Sequence, residues 1–298
     1  MRTAVITLVA GRHDHLRRQH AGLAAATRRP DHYVVVAMGD PDVEGPDVEG
    51  VDVEGVDVEG VVAEQDPARD VIHLPVTSGR LPLAEARNRG AEHALDAGAA
   101  LLVFLDVDCI PGPEMIERYR RTAGRALLCG TVSYLPPPPE GGYRLDRLAE
   151  LGRPHPARPV PAQDEVIRNG DHRLFWSLSF AVPADTWRLI GGFDEEYTGY
   201  GGEDTDFGQR ARDRGIPLWW VGGAPAHHQY HRTTSPPVEH LDDILRNAKI
   251  FHDRWGWWPM SGWLHDFEQL GLIRRDPRTN EWTRSPGRRV ARPGLRRE

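Results

Sequence analysis

LLVFLDVDCIP, residues 101–111, is the stretch from which the fold is read. Five apolar residues, Leu101 to Leu105, run into Asp106-Val107-Asp108 and stop at Pro111-Gly112-Pro113, the pattern of a buried central strand ending in a turn. Both carboxylates then lie at the strand's C-terminal end, where ligands bind in open α/β sheets. A period of two sends Asp106 and Asp108 toward the same side, unless the chain has already begun to turn. Two adjacent carboxylates repel, and burial without partners costs several kcal/mol, roughly, so a divalent cation or donor groups between them would make the pair tolerable. A bare D-x-D is equally compatible with a solvated turn.

Outward from this strand, other β-rich runs are read at Thr3 to Val9, Tyr33 to Ala37, Val71 to Val76, Ala126 to Leu135, Leu174 to Val182 and Leu218 to Val221. Helical spacing falls at His15 to Ala26, Leu83 to Ala97, Glu114 to Thr122 and Glu203 to Arg214. This alternation predicts an α/β fold with a mostly parallel central sheet flanked by helices. After Pro236-Pro237 the pattern becomes helical and Trp-rich, with helices predicted at Val238 to Phe251 and Gly262 to Leu270. The expected organisation is a main domain over 1–235, a helical extension over 236–273 and a basic, disordered tail over 274–298. The run at 153–171 is Pro-rich and read as an irregular loop, a candidate lid or acceptor surface. Within the main domain, 42–61 repeats a five-residue unit (DVEGP, then DVEGV three times) with too little apolar surface to bury, and reads as a flexible insertion.

The net charge of -7 hides a strong asymmetry. Residues 40–66 hold eleven acids and no base, whereas 274–298 hold nine Arg against three acids. Neither region interleaves basic and aromatic residues, so no nucleic-acid partner is expected. Two cysteines, Cys109 and Cys129, exclude a disulfide framework and a four-Cys zinc site, and a cytoplasmic setting is expected. No run approaches the ~20 apolar residues of a membrane-spanning helix. Any membrane association would therefore be peripheral; the oligomeric state is not legible.

Three further groups carry chemistry. Gly199, Gly201 and Gly202 around Tyr200 form a backbone-permissive loop, and Glu203-Asp204-Thr205-Asp206 opens a helix. Acids there also serve simply as complements of the helix dipole. His227, His228 and His231 follow in AHHQYHR, where H-x-x-H spacing lets two imidazoles reach one metal ion or leaves them solvated in a loop. The aromatic cluster Trp255, Trp257, Trp258 and Trp263 suits packing of a terminal helix or a sugar-stacking platform.

Taken together, Ile190-Gly-Gly-Phe193, Tyr197-Thr-Gly-Tyr-Gly-Gly-Glu-Asp-Thr-Asp206, the upstream D-x-D and the downstream H-x-x-H resemble nucleotide-sugar glycosyltransferases of the GT-A fold. The resemblance is strongest to family 2 enzymes with a galactosyltransferase-type C-terminal segment. Arg12-His-Asp-His-Leu16 is similar to a stretch in the same family, while Tyr200 stands where a Trp is usual and Thr205 replaces an acid. The resemblance implies inverting, Mn²⁺- or Mg²⁺-dependent transfer from a nucleoside-diphosphate sugar, with UDP the expected nucleotide, to an acceptor hydroxyl. It assigns Asp108, His228 and His231 to the metal, Asp204 as the base and Glu203 to a sugar hydroxyl. Asp106, Arg12, Asp40, Arg87, Asn88 and Tyr200 are then candidates for donor contacts. A nucleotidyltransferase of similar fold and a non-catalytic carbohydrate-binding protein are the alternatives.

Overall fold

The computed structural model describes residues 1–43, 69–77 and 79–286. The repeat at 42–61 lies outside them apart from Asp42 and Val43, and Val43 is buried in the core. The chain opens with β1 (Thr3–Val9), α1 (His13–Ala24), β2 (His32–Met38), β3 (Arg69–Leu74), α2 (Leu83–Asp96) and β4 (Leu101–Leu105). These strands are apolar on both faces because helices cover both. Ile6, Val36 and Phe104 point to one side and Val5, Val35 and Val103 to the other, following the two-residue period.

The apolar run of β4 does not continue through the acids. The chain turns at Asp106, whose carbonyl accepts from the Cys109 amide at 2.8 Å, and resumes as β5 (Cys109–Pro111). The chain has thus already begun to turn, the case in which the two-residue period does not put both carboxylates on one side, and the turn sends Asp106 to Arg87 and Asp108 to Arg12. Next come α3 (Met115–Thr122), β6 (Leu127–Tyr134), α4 (Leu148–Leu151), and the two-residue strands β7 (Arg153–Pro154) and β8 (Val166–Ile167) within the Pro-rich run. The strand expected from Leu174 is shorter, β9 (Ser179–Pro183), because 172–174 form a helical turn. It leads into α5 (Ala184–Ile190), α6 (Glu203–Asp213) and β10 (Leu218–His228).

β10 corrects the loop reading for His227 and His228, while His231 lies in the loop that follows it. β10 runs eleven residues rather than four, crossing an irregularity between Val221 and Ala226 where Gly222-Gly223 sit. Beyond that bulge it pairs with both β6 and β5, placing His227 and His228 opposite Ile110 and Cys109.

Strand order is β3-β2-β1-β4-β9-β6-β10-β5, with β3 through β4 parallel, β9 and β5 antiparallel to their neighbours, and β10 parallel to β6. Helices α2, α5 and α6 cover one face; α1 and α3 cover the other. Connections leave β1 and β4 in opposite directions across the sheet, so a crevice opens at their carboxyl ends. A third apolar cluster joins α7 (Leu241–Trp255), α8 (Ser261–Gln269) and the hairpin of β11 (Ile273–Arg275) with β12 (Trp282–Arg284). The tail expected to be disordered from Arg274 is therefore ordered through this hairpin.

Candidate active site

The crevice is built from chain segments far apart in sequence. Under its floor, Gln19 of α1 is fully buried and accepts from Thr7 (2.6 Å) and Tyr33 (2.8 Å) while donating to the carbonyls of Asp106 (2.7 Å) and Cys109 (3.0 Å). That amide fixes the turn carrying the two acids, since leaving any of these buried groups unpaired would cost about 1–3 kcal/mol. Gln229 braces the same turn from the other side: its backbone amide donates to the Asp108 carbonyl at 2.6 Å.

The Asp108 carboxylate faces two imidazoles. His228 Nε2 and His231 Nε2 lie 3.5 and 3.4 Å from Asp108 Oδ2, and one donor atom from each of the three residues falls within 4.8 Å of the others. Arg12, in a left-handed backbone conformation just after β1, places its guanidinium 2.5 Å from the same oxygen. Burial alone would raise the Asp108 pKa, but the hydrogen bond to His231 and the charges of His228 and Arg12 hold it down to about 2. Burial lowers the pKa of His228, favouring the neutral, ligating form of its ring. One carboxylate and two imidazoles at this separation suit a divalent cation with open positions.

Asp106 belongs to a different cluster. Arg87 of α2 is 4% exposed and links Asp106 (3.3 Å) to Glu203 (3.1 Å) at the first turn of α6, with its guanidinium over the Phe193 ring. Burial pushes Asp106 up to about 6, and Arg87 opposes this only in part. Asp204 is pushed up to about 6 by burial and by the neighbouring Glu203 charge, again against Arg87. Its Oδ1 accepts from the Thr205 amide at 2.6 Å. Glu203 is nine-tenths buried, and its second oxygen has no protein partner.

Two expected donor contacts are placed otherwise. Arg87 is enclosed between acids, and Asn88 is used entirely by the Gly191-Gly192-Phe193 turn, donating to the Phe193 carbonyl (2.9 Å) and to Glu195 (2.8 Å) and accepting from the Phe193 amide (2.8 Å). Asp40, at the end of β2, accepts from the Gly11 amide (2.6 Å) and from His13 (2.9 Å), so it shapes the loop that presents Arg12.

The extension supplies residues that the sequence reading overlooked. Asn247 of α7 is fully buried and donates to the carbonyls of Thr198 (3.1 Å), Tyr200 (3.3 Å) and Gly201 (2.7 Å), holding the Gly-rich loop over the crevice. Asp206, also fully buried, accepts from Arg254 (2.8 Å), Trp255 (2.9 Å) and Tyr197 (3.3 Å), fastening α6 to α7. A buried polar residue in an otherwise amphipathic helix was the available signal for Asn247.

A family model described as "N-terminal domain of galactosyltransferase" matches residues 167–232, which include Glu203, Asp204, His228 and His231. Two validoxylamine A glucosyltransferases are similar, from Streptomyces hygroscopicus subsp. jinggangensis (strain 5008) and from S. hygroscopicus subsp. limoneus. Each is 32% identical over 55% of this chain, and the match covers 44% and 41% of them, so the chain spans less than half their length. Among solved structures, S. aureus TarS 1–349 in complex with UDP-GlcNAc aligns with TM-score 0.53 at 12% identity, covering 89% of this chain and 76% of TarS. GalNAc-T7 with UDP, GalNAc and Mn²⁺ aligns with TM-score 0.51 at 15% identity, covering 77% of this chain and 43% of GalNAc-T7. The fold is the GT-A fold, and the chain is related in sequence to glycosyltransferases.

Proposed function

We propose that the chain is a metal-dependent, inverting glycosyltransferase of family 2 that uses a nucleoside-diphosphate sugar, with UDP the nucleotide. The single observation that carries this reading is the convergence of Asp108, His228 and His231 within 4.8 Å, at the carboxyl edge of the sheet. These residues would hold a divalent cation, which supplies charge stabilisation to the departing diphosphate. Arg12, already on Asp108, is placed to pair with a phosphate oxygen as negative charge grows there.

Asp204 acts as the base. The acceptor oxygen bonds to the anomeric carbon as the bond from that carbon to the diphosphate oxygen breaks; the hydroxyl proton passes to Asp204 and the nucleoside diphosphate leaves. Attack from the face opposite the leaving group inverts the anomeric centre. The free oxygen of Glu203 is available to a sugar hydroxyl, and the Arg87 contact at 3.1 Å holds the other oxygen of that carboxylate in place. Among the described residues no helix is long and apolar enough to cross a membrane.

Titrating the chain with UDP calorimetrically, with and without Mn²⁺, tests the proposal. Binding that requires the metal and is lost in Asp108→Asn supports it; metal-independent binding, or none, overturns it.

A further inference from the structure

The Pro-rich segment between β7 and β8, expected to form a lid or an acceptor surface, carries a side chain that the metal site and the proton transfer leave unused. Arg158 is nine-tenths buried, and none of its three guanidinium nitrogens has a hydrogen-bond partner among the described residues. The guanidinium lies over the rings of Trp220 at 4.7 Å and Trp176 at 5.1 Å. Cation–π attraction offsets part of the cost of burying the charge but gives the N–H groups no acceptor oxygen. Cys109, Tyr119, Cys129 and Tyr134 feel the charge of Arg158, yet burial holds all four in their neutral forms, Cys129 and Tyr134 both pushed up to about 12. None of them neutralises it.

A row of rings joins this cation to the proposed metal site. Trp176 meets His155 edge-on at 4.8 Å, His155 lies 6.4 Å from Tyr134, and Tyr134 lies 5.0 Å from His228. Trp176 also stands two residues before Leu178, whose carbonyl accepts from the Asp106 amide at 2.9 Å, so the row passes beside the turn that carries the two acids. Arg12, placed to meet a phosphate, follows β1 on one side of β4, whereas Tyr134 and Trp220 belong to β6 and β10 on the other. A donor held through Arg12 occupies the first side and leaves the second to the acceptor.

We infer that Arg158 forms a subsite for an anionic group of the acceptor, and that the acceptor carries a carboxylate or a phosphate. This rests on the transferase reading and adds to it the substrate class and one specificity-determining residue. The planar fork of N–H donors in a guanidinium matches two oxygens of either group, and a pair formed between aromatic rings is shielded from water and so strengthened. An uncharged sugar leaves the buried charge without compensation. Residues 155–165, which form neither strand nor helix, carry Arg158, and Val160 among them is 58% exposed. This segment opens to admit the anion and closes over the ion pair.

The test titrates the full chain, with UDP and Mn²⁺ present, calorimetrically with D-glucuronate, D-glucose 6-phosphate, D-glucose, acetate and inorganic phosphate. At least one charged sugar should bind about tenfold or more tightly than glucose, and which one does so tells a carboxylate from a phosphate. Arg158→Gln should remove that preference, and Arg158→Lys should keep part of it. Mn²⁺-dependent UDP binding should be unchanged in Arg158→Gln, which shows that the fold and donor site remain. Arg158→Met should melt no lower than the wild type, because an apolar side chain of similar length removes an uncompensated buried charge. The inference is overturned by the absence of any preference for a charged sugar over glucose, or by a preference that survives in Arg158→Gln. It is equally overturned if acetate or inorganic phosphate binds as tightly as the corresponding sugar, or if Arg158→Met melts well below the wild type. Loss of UDP binding in the wild type would instead overturn the transferase reading, and the titrations with charged sugars would still decide whether the anion subsite exists.

Discussion

Asp204 shares the first turn of α6 with Glu203, and burial together with that neighbouring charge brings its pKa up to about 6. A base must be deprotonated to accept a proton, so transfer should rise with pH through about 6 and then level off; a rate profile lacking that acid limb would place the base elsewhere. Asp204→Asn should lower the transfer rate by about 10²- to 10⁴-fold. Metal-dependent UDP binding should be unaffected, because Asp204 stands outside the proposed ligand set of Asp108, His228 and His231. Replacing His228 by Ala has the opposite signature: weaker Mn²⁺ binding in a direct metal titration, with the pH profile of residual activity unmoved. Residue identities were the most legible part of this site. Residue type and spacing singled out the D-x-D, the Glu203-Asp204 pair and the H-x-x-H, and the structure brings Asp108, His228 and His231 within 4.8 Å of one another; the roles given to them come from the resemblance. The partners of Arg87 and Asn88 were not legible, because a polar pair on a helix looks the same in sequence whether it faces a ligand, acids or a backbone turn.

The joint between α6 and α7 depends on one carboxylate. Asp206 is fully buried and accepts from Arg254, Trp255 and Tyr197; Arg254 keeps Asp194 at 2.7 Å, so the cost of Asp206→Ala is that of the lost buried acceptor, about 1–3 kcal/mol. Thermal unfolding should show this as a midpoint lowered by about 5 °C. Gly199→Ala acts on the loop instead. Gly199 has φ 72°, and an added Cβ would lie 2.1 Å from Asp243 Oδ2, so the loop must shift and transfer should fall before stability does. Activity and melting curves of this variant, compared with Asn247→Ala, would show whether the two act on the same loop. Strand cores were legible from apolar runs, because β1, β2 and β4 are buried on both faces. The break after Leu105 and the length of β10 were not. Both arise from pairing between β5 and β10, a contact made across more than a hundred residues that leaves no local pattern.

At the scale of the molecule, the boundary expected at residue 235 separates chain composition rather than stable units. α7 and α8 bury their own apolar cluster, yet they also supply Asn247 and Arg254 to the main body. A chain truncated after residue 235 should therefore lose the ordered Gly-rich loop and unfold at lower temperature than the whole, measurable by calorimetry. The acidic repeat has the opposite expectation. Deleting 44–61 while keeping buried Val43 should leave the melting midpoint within a few degrees, roughly, because loop length alone contributes little to stability. The dependence of the loop on Asn247 and Arg254 has a consequence for synthesis. A ribosome completes Asp108, Asp204 and His228 before it reaches the segment that restrains Tyr200 and Gly201. A nascent chain halted there would carry the side chains proposed to hold a metal without the clasp that orders the Gly-rich loop, so competence for the proposed transfer would wait until α7 has left the exit tunnel.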